Sequence, residues 1–201
     1  MNLQPVDFDI LWKESAEHLF KSSILEEHIF GGLWQDILEC SCGKRTENAI
    51  TKMSEMLPLT CNGENIQQCL DNHFSPHTIE RNCLDCKTKT GEKTIVVILE
   101  PATLVLQINR YEYNRYEAKA EKNNKKITCP TTINLPSGSF YSLCSIVNHM
   151  ESSPEEGHYN MLLYNNHTSS YVLLDDTTIH FEYVMDAKMD QIQYLVTYVK
   201  I

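Results

Sequence analysis

The sequence predicts an α+β protein dominated by an antiparallel sheet. Three observations carry this. Helical periodicity is confined to the first 74 residues of the chain. From Thr94 onward, β-branched and alternating runs take over. Helix followed by strands, without βαβ alternation, segregates the helices to one side of an antiparallel sheet.

The elements follow in order. Between Ile10 and Phe30, residues Trp12, Ala16, Leu19, Phe20 and Ile24 recur at helical spacing, and Gly31-Gly32 ends the run. Leu33 to Cys42 reads as a strand leading into a first cysteine pair. Asn65–Phe74 reads as a second helix, with Ile66, Cys69, Leu70 and Phe74 on one face and Pro76 past its end. A polar, hairpin-like segment covers Lys87–Lys93. Thr94–Leu99 and Leu104–Ile108 read as buried strands split by Glu100-Pro101. The charged stretch Glu112–Lys126 reads as an exposed loop. Phe140–His149, His158–Tyr164, Tyr171–Leu174 and Ile192–Val199 complete the strands, with a hairpin tip at Asn165–Ser169.

The bulk numbers are those of a globular protein. The 201 residues are 42% hydrophobic and 22% charged, enough for one sizeable core. A formal net charge of -10 argues against nucleic acid, since phosphate contacts need clustered cations. Such a surface suits a basic partner better. The segment Met1–Ser15 has neither the basic start nor the apolar centre of a secretory signal. No apolar run reaches the roughly 18–20 residues of a membrane span. The expectation is a cytoplasmic or nuclear protein with no membrane association.

Eight cysteines are present. Cys40-Ser-Cys42 and Cys83-Leu-Asp-Cys86 form two close pairs, and four thiolates on two turns can close a tetrahedral zinc shell. Gly43 and Lys87 follow the second cysteine of each pair, where a knuckle turns. The first pair is one residue short of the usual spacing, which predicts a strained turn and weaker metal binding. Ordinary thiols are the competing reading. Cys61, Cys69, Cys129 and Cys144 lie in helix- or strand-like contexts and read as small core residues.

Gly157-His158-Tyr159 places a histidine at the start of an alternating strand, with room at the glycine for another backbone. Asp175-Asp176 falls one hairpin later, so a carboxylate can reach the imidazole, fix its tautomer and stabilise its charged form. A surface histidine and a plain acidic turn are the alternative from these residues alone.

Taken together, the segments resemble the ubiquitin-specific proteases, the papain-like deubiquitinases, over nearly the whole chain. Phe30-Gly-Gly32 resembles the family's FGG ahead of the zinc fingers, and Asn82–Lys87 its second knuckle. Lys93, Ile98, Pro101, Leu104 and Leu106–Tyr111 resemble the strand pair ending in the family's L.RF. Lys125–Ile127 with Ile133–Leu135 resembles the KI…V.FP..LDL stretch. Tyr141–Val147 with His149 resembles the strand before the histidine box, Gly157–Tyr159 the GHY of that box, and Tyr171–Asp176 the acid box, with Tyr171 where tryptophan is usual. Gln193–Tyr198 resembles the closing AYxLxY strand.

The resemblance implies a papain-like cysteine protease fold, with a fingers-and-palm antiparallel sheet and a largely missing helical thumb. Residues 1–30 would be a thumb remnant, 31–93 the fingers with the zinc knuckles and a helix, and 94–201 the palm. It implies ubiquitin or a ubiquitinated protein as partner and cleavage after ubiquitin's terminal glycine. His158 would be the general base, Asp175 its orienting acid and Asp176 a supporting acid. Cys40, Cys42, Cys83 and Cys86 would hold a structural zinc.

The family's cysteine box is not matched, and Gln4–Leu11 resembles the helix that follows it, with Asp7 retained and Ile10 in place of a glutamate. The expectation is that the chain starts after the nucleophile and is inactive alone. Cys144 and Cys129 are poor substitutes, since neither sits at a helix N-terminus that would favour a thiolate. The alternatives are a non-catalytic ubiquitin-binding module, or a zinc-stapled interaction domain without ubiquitin affinity.

Overall fold

The structure is a computed structural model and describes residues 29–52, 56–114, 119–150, 157–183 and 192–201. The helix expected between Ile10 and Phe30 lies almost wholly outside them. The described residues contain one named helix and two large sheets.

The smaller sheet contains β1 (Leu33–Glu39), β2 (Arg45–Glu47), β3 (Thr51–Lys52), β5 (His77–Glu80) and β6 (Thr90–Leu99), in the order β2-β1-β6-β5, with β3 also on β1. β1 and β6 run antiparallel from Gln35↔Val96 to Glu39↔Glu92. That register decides where the cysteines go. Glu39 leads directly into Cys40, and β6 begins just after Cys86. Both pairs therefore emerge from the same end of one ladder, although Cys40 and Cys86 are 46 residues apart.

The larger sheet has the order β14-β13-β12-β11-β15-β7-β4. Its strands are β4 (Leu57–Thr60), β7 (Thr103–Asn109), β11 (Phe140–Met150), β12 (His158–Asn165), β13 (Ser170–Asp175), β14 (Thr178–Tyr183) and β15 (Gln193–Lys200), with β10 (Thr132–Asn134) on β11. All pairs are antiparallel except β4 with β7. One register row, Leu173–Leu162–Ile146–Val196–Leu106–Leu57, crosses six strands. Each residue in it is at most 7% exposed. A one-residue slip would turn that row to the other face.

The helix α1 (Ile66–Phe74) joins the sheets. Asn65 caps it by accepting from the Gln68 N–H at 2.9 Å, and Ser75-Pro76 ends it in extended backbone. Its face Ile66, Cys69, Leu70 and Phe74 is buried in the core cluster, as the periodicity predicts. Phe74 meets Trp34 of the smaller sheet with ring centroids 5.3 Å apart.

Arg110 follows β7 and is 1% exposed. It donates to the carbonyls of Gln193 (3.0 Å), Asn123 (3.2 Å) and Lys125, and to Gln193 Oε1 (3.2 Å) and Cys61 Sγ (3.4 Å). A fork of five N–H donors is what lets one side chain gather that many acceptors.

Several expectations need correction. The 94–99 strand starts earlier, at Thr90, and is not fully buried. Ile98 and Leu99, at its end, are 46% and 52% exposed. Glu112–Lys126 is not a loop throughout, for β8 (Tyr111–Asn114) pairs with β9 (Lys119–Lys122) as an antiparallel hairpin. No described helix is long and apolar enough to cross a membrane.

Candidate active site and metal centre

His158 opens β12 and Asp175 closes β13. The ladder pairs Met161 with Leu174, so Asp175 falls beside Asn160, on the same face as His158 and diagonal to it. The carboxylate Oδ1 contacts His158 Nε2, and both side chains are about one-third exposed, at 34% and 37%. With Asp175 accepting from Nε2–H, the atom left to take a proton is Nδ1.

Asp175 also pairs with Thr178, so Asp176 and Thr177 form a two-residue turn. Asp176 has φ +50, a conformation that aspartate tolerates better than most residues. The tight turn draws its carboxylate back. One ligand atom from each of His158, Asp175 and Asp176 lies within 4.8 Å of the others. The floor behind them is polar, with Asn148 Nδ2 donating to the buried Asn160 Oδ1 at 2.9 Å.

At the end of the smaller sheet, Cys40, Cys42, Cys83 and Cys86 converge with all four sulfurs within 4.8 Å. Cys40 Sγ lies 3.3 Å from Cys86 Sγ, and Cys42 Sγ lies 3.8 Å from Cys83 Sγ. Tetrahedral zinc–thiolate bonds of about 2.3 Å set sulfurs roughly 3.8 Å apart, so the donor set fits zinc. The sulfur chemistry agrees. The Cys42 N–H and the Thr88 hydroxyl pull the Cys40 thiol down to about 5. Thr88 likewise favours the Cys86 thiolate. At Cys42 the Lys44 N–H also favours the thiolate, but shared hydrogen bonds with Cys40 and Cys86, and burial, push it up to about 12. Four thiols this close cannot all ionise without a cation among them.

The short first pair is not where the backbone is unusual. Cys40–Gly43 closes as an ordinary turn, with the Gly43 N–H on the Cys40 carbonyl at 2.8 Å and glycine at φ +82. Of the two knuckles, it is the second that holds a left-handed non-glycine residue, Lys87 at φ +62. Lys44 and Asp85 clip the two knuckles together at 2.7 Å. Sequence reasoning did not single out Thr88. Its hydroxyl sits 3.3 Å from Cys40 Sγ, and the only hint is its place two residues after Cys86.

The other four cysteines lie elsewhere. Cys61 and Cys69 are buried in the core, Cys61 against Arg110. Burial pushes the Cys129 thiol up to about 12, the opposite of nucleophilic activation. Cys144 is exposed, not the core residue expected, because the β11–β15 register skips it between Leu143 and Ser145. His158 pairs with Met150 on β11. Six residues of strand, roughly 20 Å, therefore separate Cys144 from the imidazole.

The model of the family described as ubiquitin carboxyl-terminal hydrolase matches residues 8–196. The Schizosaccharomyces pombe protein named probable ubiquitin carboxyl-terminal hydrolase 8 is 28% identical over 156 residues, covering 75% of this chain and 34% of its own. Human ubiquitin carboxyl-terminal hydrolase 35 is 30% identical over 112 residues, 50% of this chain and 11% of its own. A solved chain of the SAGA DUB module of Ubp8, Sgf11, Sus1 and Sgf73 bound to monoubiquitin superposes with TM-score 0.82 and 19% identity, over 98% of this chain and 49% of that one. The chain thus spans about a third of the first curated relative and about half of the solved one. The sheet arrangement described above is the fold of that solved domain, and the chain belongs to the ubiquitin carboxyl-terminal hydrolase family.

Proposed function

We propose that the chain binds ubiquitin and supplies the base and acid of a thiol-dependent ubiquitin hydrolase. His158 Nδ1 takes the proton of a thiol, Asp175 fixes the ring through Nε2, and Asp176 supports the charge. Residues 31–93 act as fingers stapled by a structural zinc on Cys40, Cys42, Cys83 and Cys86. Residues 94–201 act as the palm, and residues 1–30 belong to the thumb. The observation that carries this is the His158–Asp175 contact at facing ends of adjacent strands, in a chain of a ubiquitin hydrolase family. A solved chain of like fold is bound to monoubiquitin.

For the 201 residues by themselves, the places of the eight cysteines favour binding without turnover. Four converge at the far end of the smaller sheet, three are core or part-buried, and Cys144 is far along β11. A thiol brought to Nδ1 from another segment or chain would complete the site. Mixing the purified chain with ubiquitin bearing a C-terminal vinyl sulfone tests this. The expected result is saturable binding with no covalent adduct, unchanged in affinity by His158→Ala. An adduct, located by mass, would overturn the assignment of all eight thiols to other roles. Absence of binding would remove ubiquitin as the partner.

A further inference from the structure

His149 ends the buried stretch of β11 and is 3% exposed. It sits directly behind the start of β12. Two side chains converge on its Nδ1, the Lys122 ammonium at 3.0 Å and the Tyr111 hydroxyl at 3.1 Å, both from the β8–β9 hairpin. Lys122 also donates to the His149 carbonyl at 3.1 Å. An ammonium only donates, so Nδ1 accepts and the ring proton resides on Nε2. Tyr159 stacks on the ring with centroids 4.6 Å apart, and the His149 N–H is held by the Ile192 carbonyl at 2.9 Å.

The Nε2 edge faces Gly157, the residue before His158. A Cβ added at Gly157 would stand 1.8 Å from His149 Nε2, and 2.6 and 2.8 Å from the adjacent ring carbons. Gly157 is not among the left-handed glycines, which are Gly43 and Gly138 among the described residues. Glycine is therefore needed there for room, not for its backbone conformation. The chain can only enter β12 by passing over the edge of this imidazole.

We propose that His149 is a positioning residue for His158: Lys122 and Tyr111 lock its ring, the ring seats Gly157, and that seat sets where β12 begins. The β8–β9 hairpin thereby acts on His158 without touching substrate. The inference rests on the reading of His158 as the base, but its test does not use ubiquitin.

The test is a double-mutant cycle on the full chain, read from the ring nitrogens of His158 by NMR across a pH titration. Gly157→Ala alone is expected to displace the His158 ring signals and move their titration midpoint. In a His149→Ala background, where the imidazole edge is gone, the same substitution should lose more than half of that shift. Should His149→Ala not fold, His149→Asn keeps an acceptor for Lys122 while freeing the same space. Lys122→Met should also move the His158 signals, and Lys122→Arg, which still donates, should restore them. Equal shifts from Gly157→Ala in both backgrounds would overturn the coupling. So would unmoved His158 signals in Lys122→Met. A failure of ubiquitin binding would sink the hydrolase reading and leave this cycle intact, so the two fail separately.

Discussion

Cys83→Ser is expected to abolish zinc binding and to melt the cysteine-bearing end of the smaller sheet. Cys83 is buried and shares the sulfur cluster with three other thiols. A structural tetrathiolate site contributes apparent binding energies of about 10–16 kcal/mol in small zinc domains, and that energy is folding energy. Little else holds this end together. The Lys44–Asp85 clip is exposed at both partners and contributes about 1 kcal/mol or less. Beside it stand local backbone bonds such as Cys40 N–H to Lys44 O at 2.9 Å and Cys83 N–H to Thr88 O at 2.9 Å, and single side-chain bonds such as Arg81 Nη2 to Thr46 Oγ1 at 2.8 Å. The hydrophobic core contains none of these four cysteines and is centred on the row through Ile146 and Val196, so it should survive. Metal analysis together with amide exchange checks this. Zinc should be lost and protection should collapse at residues 40–44 and 83–88, with β11 and β15 unchanged. Retained zinc at wild-type stoichiometry would contradict the assignment.

Arg110→Met is expected to cost the most in global stability. Methionine fills much of the volume but leaves the carbonyls of Asn123, Lys125 and Gln193 without their donor. A hydrogen bond to a charged group contributes roughly 1.5–3 kcal/mol, so losing several should cost about 3 kcal/mol or more. That is a large share of the about 5–15 kcal/mol that holds a domain folded. Lysine would not rescue it, since one ammonium cannot reach acceptors on both Gln193 and the 123–125 segment. Burial also pulls the Arg110 pKa below its usual value, and no carboxylate offsets this among its bonded partners. Denaturant unfolding reads the effect directly. A loss below about 1 kcal/mol would mean that water replaces the guanidinium at little cost.

The parts legible in the sequence share one property: they announce themselves within a few residues. α1 was readable from the spacing of Ile66, Cys69, Leu70 and Phe74, and from Asn65 and Pro76 at its ends. β11, β12, β13 and β15 were readable as apolar or alternating runs within one or two residues of their ends. What was not legible depended on contacts between distant segments. β2, β3 and β10 are two or three residues long, too short to carry a period. β4 holds Pro58, which weakens a strand signal, yet it pairs in parallel at the edge, where proline is tolerated. β8 and β9 are charged strands stabilised by each other and by the Lys122–His149 contact, so composition alone reads them as a loop.

The candidate sites divide in the same way. The cysteine pairs and the GHY and DD segments were visible as residue types at particular spacings. Their convergence needed the β1–β6 and β12–β13 registers. Strain in the short Cys40–Cys42 knuckle was expected and is absent, because Gly43 follows it and takes the left-handed turn, whereas Lys87 must do so in the second knuckle. The role given to Gly157 also changed in kind. Room for a backbone was legible, but the ring of His149 that fills that room was not.

In the proposed function, His158, held by Asp175, stands where the end of ubiquitin arrives. The most direct measurement follows the His158 ring signals while the chain is saturated with ubiquitin, and again with ubiquitin trimmed of its C-terminal tail. Intact ubiquitin should shift them, and the trimmed form should leave them in place. Ring signals that ignore intact ubiquitin at saturation would contradict that placement.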